Sequence, residues 1–332
     1  MVVVLALLSV GGVTACGGGG SGQTPTAPPP DGGVGGSSPS DGGAPAANRA
    51  AAAVILAAGD IACDGCGQAK TAALLADLSG GGKAAAILPL GDEAYADGAL
   101  ADFEANYAPT WGVPALLALT HPIPGNHEYG ETEAQGYFDY FNGVGAATGI
   151  AGTRGQGFYS FDVGAWHIVA LNSSDSCNAV ACDAGSPQHA WLTADLAAHP
   201  ARCTLAYWHN PRFQGGSATD EEEEVAPLWD ALYDAGADVV LSGHEHNFQQ
   251  LAPLDKAGER DDARGMRTFV VGTGGAGFHD DFDGPHAWAM EAHATGTYGV
   301  LELTLLDGGY RWRFVGVDGS VPDGTSGTAS CH

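Results

Sequence analysis

The chain has 332 residues, with 39 Asp or Glu against 12 Lys or Arg, a formal net charge of −27. That imbalance excludes nucleic acid as a polyanionic partner, because backbone binding needs clustered Lys and Arg. A small anionic substrate remains compatible with it, since bound cations invert the local field.

Residues 1–15, MVVVLALLSVGGVTA, are an apolar run too short to span a bilayer as a mature helix. The run leads through Val13, Thr14 and Ala15 into Cys16, which resembles the lipobox of bacterial lipoprotein signal peptides. Residues 1–15 are therefore expected to be a cleaved signal, and Cys16 a lipidated residue. Residues 17–47 are rich in Gly, Ser, Pro, Thr and Ala, with Asp31 and Asp41 their only charges. Such a segment buries too little apolar surface to order itself, and residues 16–48 read as a flexible tether. The expected location is exported, in the cell envelope or secreted, with a lipid as the only membrane contact. Residues 49–332 are long enough for one large domain.

Six cysteines remain: Cys63, Cys66, Cys177, Cys182, Cys203 and Cys331. An even count in an exported chain favours disulfides. Cys63 with Cys66 and Cys177 with Cys182 are close in sequence, which leaves Cys203 for Cys331 and ties down the C-terminus. A zinc site at Cys63-x-x-Cys66 lacks a second thiol pair of matching spacing.

In chain order, residues 52–58 read as a buried strand ending in Gly59-Asp60, and residues 68–78 as a helix. Residues 84–90 are a second strand, ending in Gly91-Asp92-Glu93-Ala94-Tyr95, and a helix follows over 98–107. Residues 113–123 form the third apolar stretch, running into Pro124-Gly125-Asn126-His127-Glu128. The repeating event is an apolar strand that stops at a glycine followed by a polar residue, and function gathers at such strand ends in α/β folds.

Residues 157–172 read as a hairpin around Gly164, with His167 a strand residue. A helix over 188–198, a strand over 203–208 ending at His209, and a helix over 222–235 follow. Thr219 and Glu222 have capping-box spacing, so the acidic run 221–224 reads as a helix start. Residues 238–241 enter Ser242-Gly243-His244-Glu245-His246-Asn247. Residues two apart on a strand share a face, so both imidazoles are expected to reach one point. A strand over 268–271 enters the loop Gly272-Thr273-Gly274-Gly275, which lacks the Lys-Ser/Thr of a phosphate-cradling loop and reads as close backbone packing. Residues 297–317 form a last hairpin, turning at 307–309.

Singly, each polar strand end is ordinary turn chemistry. Together Asp60, Asp92, Tyr95, Asn126, His127, His209, His244 and His246 supply two carboxylates, a phenol, an amide and several imidazoles. A mixed N/O set of this size suits two ions sharing a carboxylate better than one tetrahedral zinc.

The order Gly59-Asp60, Gly91-Asp92-x-x-Tyr95, Gly125-Asn126-His127-Glu128, His209 and Gly243-His244-x-His246 resembles the calcineurin-like metallophosphoesterases, and within them the purple acid phosphatase branch. Tyr95 points to that branch, because residue 62, where many dinuclear relatives have a histidine, is alanine. The resemblance implies a four-layer α/β/β/α sandwich, two mixed β-sheets flanked by helices. It also implies that Asp60, Asp92, Tyr95 and His246 hold one metal, expected to be Fe(III). Asp92 as bridge, Asn126, His209 and His244 would hold a second, expected to be Zn(II), Mn(II) or Fe(II). His127 would face the substrate and serve the leaving oxygen, oriented by Glu128.

The implied activity is hydrolysis of a small phosphate monoester by in-line attack of a metal-bound hydroxide, retained at acidic pH. A phosphodiesterase or nucleotidase on the same metals, and a non-catalytic envelope binding protein, are the alternatives. Glu93 and Phe248 depart from the expected Asn and Tyr, and Asn210 stands where a second histidine is common. Arg212 is a candidate phosphate contact. His121, His189, His199, His279, His286 and His293 carry no assigned role.

Overall fold

The computed structural model describes residues 52–174, 176–216 and 221–332. The expected signal, Cys16 and the tether lie outside the described residues, as does Thr219 of the expected capping box.

Among the described residues, fourteen strands and six α-helices follow one another as β1 (Ala53–Ala58), α1 (Gln68–Ser79), β2 (Ala84–Pro89), α2 (Leu100–Asp102), α3 (Pro114–Leu117), α4 (Gln135–Asn142), β3 (Thr148–Gly149), β4 (Gly152–Thr153), β5 (Tyr159–Val163), β6 (Trp166–Ala170), α5 (Pro187–Ala198), β7 (Cys203–Tyr207), α6 (Ala226–Ala235), β8 (Val239–Ser242), β9 (Phe248–Leu254), β10 (Met266–Val271), β11 (Met290–Ala294), β12 (Gly299–Leu306), β13 (Gly309–Gly316) and β14 (Ser326–Ser330). A π-helical turn, Phe103–Tyr107, continues α2.

Two mixed sheets carry the fold. One has the order β14-β13-β12-β1-β2 and the other β11-β9-β10-β8-β7-β6-β5; β3 and β4 pair separately. They face each other through aromatic side chains whose spacing follows the strand period of two. Tyr310, Trp312 and Phe314 on β13 point inward against Trp166, Phe269 and Phe248 of the larger sheet, while Arg311 and Arg313 point out. Helix α1 packs against β2 and β12, and α5 packs on α6 and meets β6 of the larger sheet through Asp195 and His167. The four-layer sandwich expected from the resemblance is the fold observed. No helix among the described residues is long and apolar enough to cross a membrane.

Strand direction explains where the site lies. β1 runs parallel to β2, and β7 runs parallel to β6 and β8, so the carboxyl ends of each set come out on one edge. The ladders continue briefly past the strands: Asp60 N–H donates to Gly91 O at 3.0 Å, and Gly243 N–H to His209 O at 3.0 Å.

The stretch 113–123 is not a strand. Pro114 opens a short helix, as its fixed φ suits a first helical turn. Only Thr120 bridges to Ile87, with Pro122 and Pro124 unable to donate to a ladder. The expected helix over 222–235 is α6 preceded by a 3-10 turn over Glu223–Val225.

All three expected disulfides are present: Cys63–Cys66, Cys177–Cys182 and Cys203–Cys331. The last joins the residue after β14 in the smaller sheet to the first residue of β7 in the larger one.

Candidate dinuclear metal centre

Seven residues taken from five separate segments converge at this edge. Around one point, the Tyr95 hydroxyl lies 3.2 Å from Asp60 Oδ1, 3.2 Å from Asp92 Oδ2 and 3.2 Å from His246 Nε2. His246 Nε2 is 3.3 Å from Asp60 Oδ1. Around a second point, Asn126 Oδ1 lies 3.0 Å from His209 Nε2 and 3.0 Å from His244 Nδ1. His209 Nε2 is 3.3 Å from His244 Nδ1 and 3.4 Å from Asp92 Oδ1. Asp92 is common to both, one oxygen facing each point.

These separations test the fit of metal ions. A metal–donor bond of about 2.1 Å makes polyhedron edges of about 3.0 Å (octahedral) to about 3.4 Å (tetrahedral), the range seen at both points. Lone-pair direction agrees. His209 Nδ1 donates to Leu90 O at 2.7 Å, which leaves Nε2 as the lone-pair nitrogen facing the second point. The donor set therefore fits two ions, which would share Asp92.

The backbone is held in an unusual state there. Asp60, Asp92 and His244 have φ of 60°, 51° and 70°, a left-handed conformation that non-glycine residues seldom adopt. His244 N–H donates to Asp60 Oδ2 at 2.9 Å, locking two of these turns together. The strand pleat does not bring His244 and His246 together as expected: β8 ends at Ser242, and the left-handed turn aims His244 Nδ1 and His246 Nε2 at different points. A Cβ on Gly243 would stand 2.8 Å from both Asp60 Oδ2 and Leu90 O, so glycine there allows the approach. The glycine-rich loop after β10 is close packing, as expected: Cβ atoms on Gly274 and Gly275 would meet the backbone oxygens of Gly59 and Ile61.

The carboxylates and imidazoles at the two points shift one another's proton affinities. Burial opposes ionisation of Asp92, but His209 beside it and the His127 N–H hold its carboxyl well below the usual carboxylate range. Burial likewise opposes charge on His209, which Asp92 more than offsets, raising it to about 9. His246 is raised by Asp60 against its own burial. Burial and the carboxylates of Asp60 and Asp92 push the Tyr95 phenol far above its ordinary value.

His127 contributes no donor to either point. Its N–H donates to Asp92 Oδ1 at 2.9 Å, its ring lies 4.4 Å from Tyr95, and its side chain is 38% exposed at the rim. Glu128 does not orient it. The fully buried Glu128 carboxylate accepts from the backbone N–H groups of Asp92 (2.9 Å), Gly125 (2.8 Å) and Ala94 (3.2 Å), clamping two of the turns. Sequence reasoning missed that clamp; the only signal was a carboxylate two residues after Asn126. Glu93 is fully buried, and burial with Glu128 nearby raises its carboxyl well above the usual range. Phe248 stacks on Phe314 in the core. The Arg212 guanidinium lies over Phe213 and pairs with Glu223 at 3.0 Å.

A second His/Asp cluster, remote in the fold, does not have metal geometry. His167 meets Asp162 at 2.9 Å and Asp195 at 2.8 Å, and His199 meets Asp195 at 3.2 Å. The two imidazoles lie stacked, 14° from parallel, so their in-plane lone pairs cannot converge on one ion.

An α/β/β/α sandwich with N and O donors for two ions at its strand ends is the architecture of a metallophosphoesterase. Residues 53–248, well over half of the chain, match the calcineurin-like phosphoesterase family, and the protein belongs to that family. Within it, the sequence is similar to the purple acid phosphatases. Purple acid phosphatase 15 of Arabidopsis thaliana is 28% identical over 157 residues, covering 43% of this chain and 29% of that protein. Purple acid phosphatase 21 of the same plant is 31% identical over 123 residues, covering 36% and 26%. The alignments thus span under a third of these relatives' length. In fold, the chain is similar to the yellow lupin purple acid phosphatase PPD1, with a TM-score of 0.67 at 17% identity, covering 85% of this chain and 54% of that one. It is also similar to GAP50, the anchor in the inner membrane complex of Plasmodium, with a TM-score of 0.60 at 16% identity, covering 85% and 89%.

Proposed function

We propose that the protein is an exported purple acid phosphatase-like enzyme that hydrolyses phosphate monoesters at a dinuclear centre. One ion, Fe(III), would be held by Asp60, Asp92, Tyr95 and His246. The other, Zn(II), Mn(II) or Fe(II), would be held by Asp92, Asn126, His209 and His244. The observation that carries the reading is the pair of donor clusters sharing Asp92. GAP50 has a similar fold and is an anchor, so the fold alone does not decide between catalysis and attachment; the complete donor set favours catalysis.

When bound, the ions neutralise phosphoryl oxygens and acidify water for in-line attack. The rest falls to the chain. Asp92 spaces the two halves by presenting one oxygen to each. Leu90 O keeps the His209 proton on Nδ1, so Nε2 stays a donor of electrons. Burial and the carboxylates of Asp60 and Asp92 raise the Tyr95 phenol, so a cation that takes it as a phenolate would have to be strongly charged, which suits a trivalent ion in that half. His127, at the rim and outside both donor sets, would serve the leaving oxygen through Nε2, since its Nδ1 is turned to Ala96 O. The phosphodiesterase alternative uses the same groups with a larger leaving side. Lipidation at Cys16 and attachment through residues 16–48 complete the proposal.

The test is a panel of aryl phosphate monoesters and diesters with purified, metal-analysed protein and Asp92→Asn. The proposal expects monoester turnover that falls at least about 100-fold in Asp92→Asn. Unchanged activity in that variant, or no turnover of any phosphoester by the metal-loaded protein, contradicts it.

A further inference from the structure

The rim of the Asp60–Tyr95 half carries a row of rings. His127 lies 4.4 Å from Tyr95, Tyr95 lies 6.2 Å from His246, and His246 stacks on His279 at 4.2 Å with the planes 14° apart. The first three have roles in the proposed chemistry. His279 has none so far, although its position is closely specified. Its N–H donates to His246 O at 3.1 Å, and its carbonyl accepts from Asn247 Nδ2 at 3.4 Å and Thr295 Oγ1 at 3.0 Å. The backbone is thus pinned while the side chain is 47% exposed.

The ring's tautomer can be read from its neighbours. His279 Nδ1 lies 3.4 Å from the backbone nitrogen of His246. A backbone N–H can only donate, so Nδ1 is the acceptor and the ring proton sits on Nε2. Nε2 has no hydrogen-bond partner among the described residues. The Glu245 carboxylate lies 3.4 Å from Nδ1, placing negative charge behind the ring.

Among the described residues, no Lys or Arg pairs with any of the centre's seven candidate ligands; Arg212 lies over Phe213 and gives Nη2 to Glu223, while its buried Nε and Nη1 have no hydrogen-bond partner. A phosphate lying across two ions still has oxygens that face away from them, and these need N–H or O–H donors. One side of the mouth is taken by His127, whose Nδ1 proton goes to Ala96 O.

We propose that His279 supplies the other: its Nε2–H holds a non-bridging phosphoryl oxygen on the His246 side, making it a substrate-binding residue. This rests on the phosphoesterase reading above. The test uses the metal-loaded protein and two variants, His279→Phe, which keeps a stacked ring and loses the N–H, and His279→Asn, which keeps a donor. Inorganic phosphate binding by calorimetry is read beside kcat and KM for an aryl phosphate monoester, and metal content is measured for each variant.

In His279→Phe, phosphate affinity is expected to fall about tenfold and KM to rise by a similar factor, with kcat within about threefold and both ions retained. His279→Asn recovers part of the loss. Wild-type phosphate affinity in His279→Phe, or loss of an ion from it, overturns the inference, the latter because the ring would then act only as support for His246. A wild-type protein that neither binds phosphate nor hydrolyses esters overturns the phosphoesterase reading itself. A wild-type protein that does both, matched by His279→Phe, overturns this inference alone.

Discussion

Replacing Gly243 by alanine adds one methyl group at the seam of the two donor clusters. Gly243 lacks a positive φ, so the substitution carries no left-handed backbone penalty and its effect is steric. The new Cβ would lie 2.8 Å from Leu90 O, 2.8 Å from Asp60 Oδ2 and 3.2 Å from His209 Nδ1. Ordinary contact for such a pair is about 3.5 Å, so something must move by roughly half an ångström. None of the three is a free end. Leu90 O fixes the His209 proton, Asp60 Oδ2 holds the His244 N–H, and Asp60 Oδ1 faces the first point. Overpacking of this kind costs about 1–3 kcal/mol, and disturbing the groups behind metal ligands lowers affinity about 10–100-fold. Gly243→Ala is expected to lose stability in urea by that amount and to release metal to a chelator well before the wild type. Wild-type stability together with wild-type metal retention would refute the reasoning, because it would mean that the seam is loose.

The Cys203–Cys331 disulfide, with a sequence separation of 128, spans the two sheets, and its removal by a double Cys→Ala change is expected to cost about 5 kcal/mol in urea unfolding. Removing Cys177–Cys182, with a separation of 5, is expected to cost only about 2 kcal/mol, and equal losses would contradict the loop-closure reasoning. In metal-free protein, Asp92 offsets the burial of His209 and raises it to about 9 from 6.5, so the folded state holds that proton more tightly. The resulting stability, up to about 3 kcal/mol, is complete below about pH 6.5 and is lost as pH rises through about 9. Urea titrations of chelated protein at several pH values check this, and a slope unchanged in His209→Gln would rule out the assignment. Metal uptake must displace the same proton, so apparent affinity should rise with pH across that window. His127→Ala should retain both ions while kcat falls about 100-fold or more; loss of metal would show it to be a ligand.

Most of the candidate ligands were legible in the sequence because each follows an apolar run or glycine at a strand end, and parallel strands bring those ends to one edge. Cysteine spacing was enough to pair the disulfides. Legibility failed where local pattern and tertiary context diverge. Residues 113–123 are apolar like a strand, but Pro114, Pro122 and Pro124 remove ladder donors. Strands β9, β11 and β14 went unread because Gln249, Gln250, Glu291 and Ser326 break the apolar alternation, although Gln249 and Gln250 are buried and hydrogen-bonded. Glu128 beside His127 invited a pairing through sequence proximity, yet its carboxylate turns inward to three backbone N–H groups. The split of His244 from His246 depends on one left-handed residue, a conformation that composition does not announce. His279 sits in an irregular loop with no periodicity, and only packing against His246 reveals it.

The most direct measurement is metal analysis with the visible spectrum of the wild type, His244→Ala and His246→Ala. The dinuclear assignment predicts two ions per chain in the wild type, with a tyrosinate-to-iron absorption from Tyr95. His246→Ala should lose the iron and its absorption preferentially, and His244→Ala the other ion, with the absorption kept. A single ion in the wild type, or equal loss of both ions in each variant, would contradict two sites joined at Asp92.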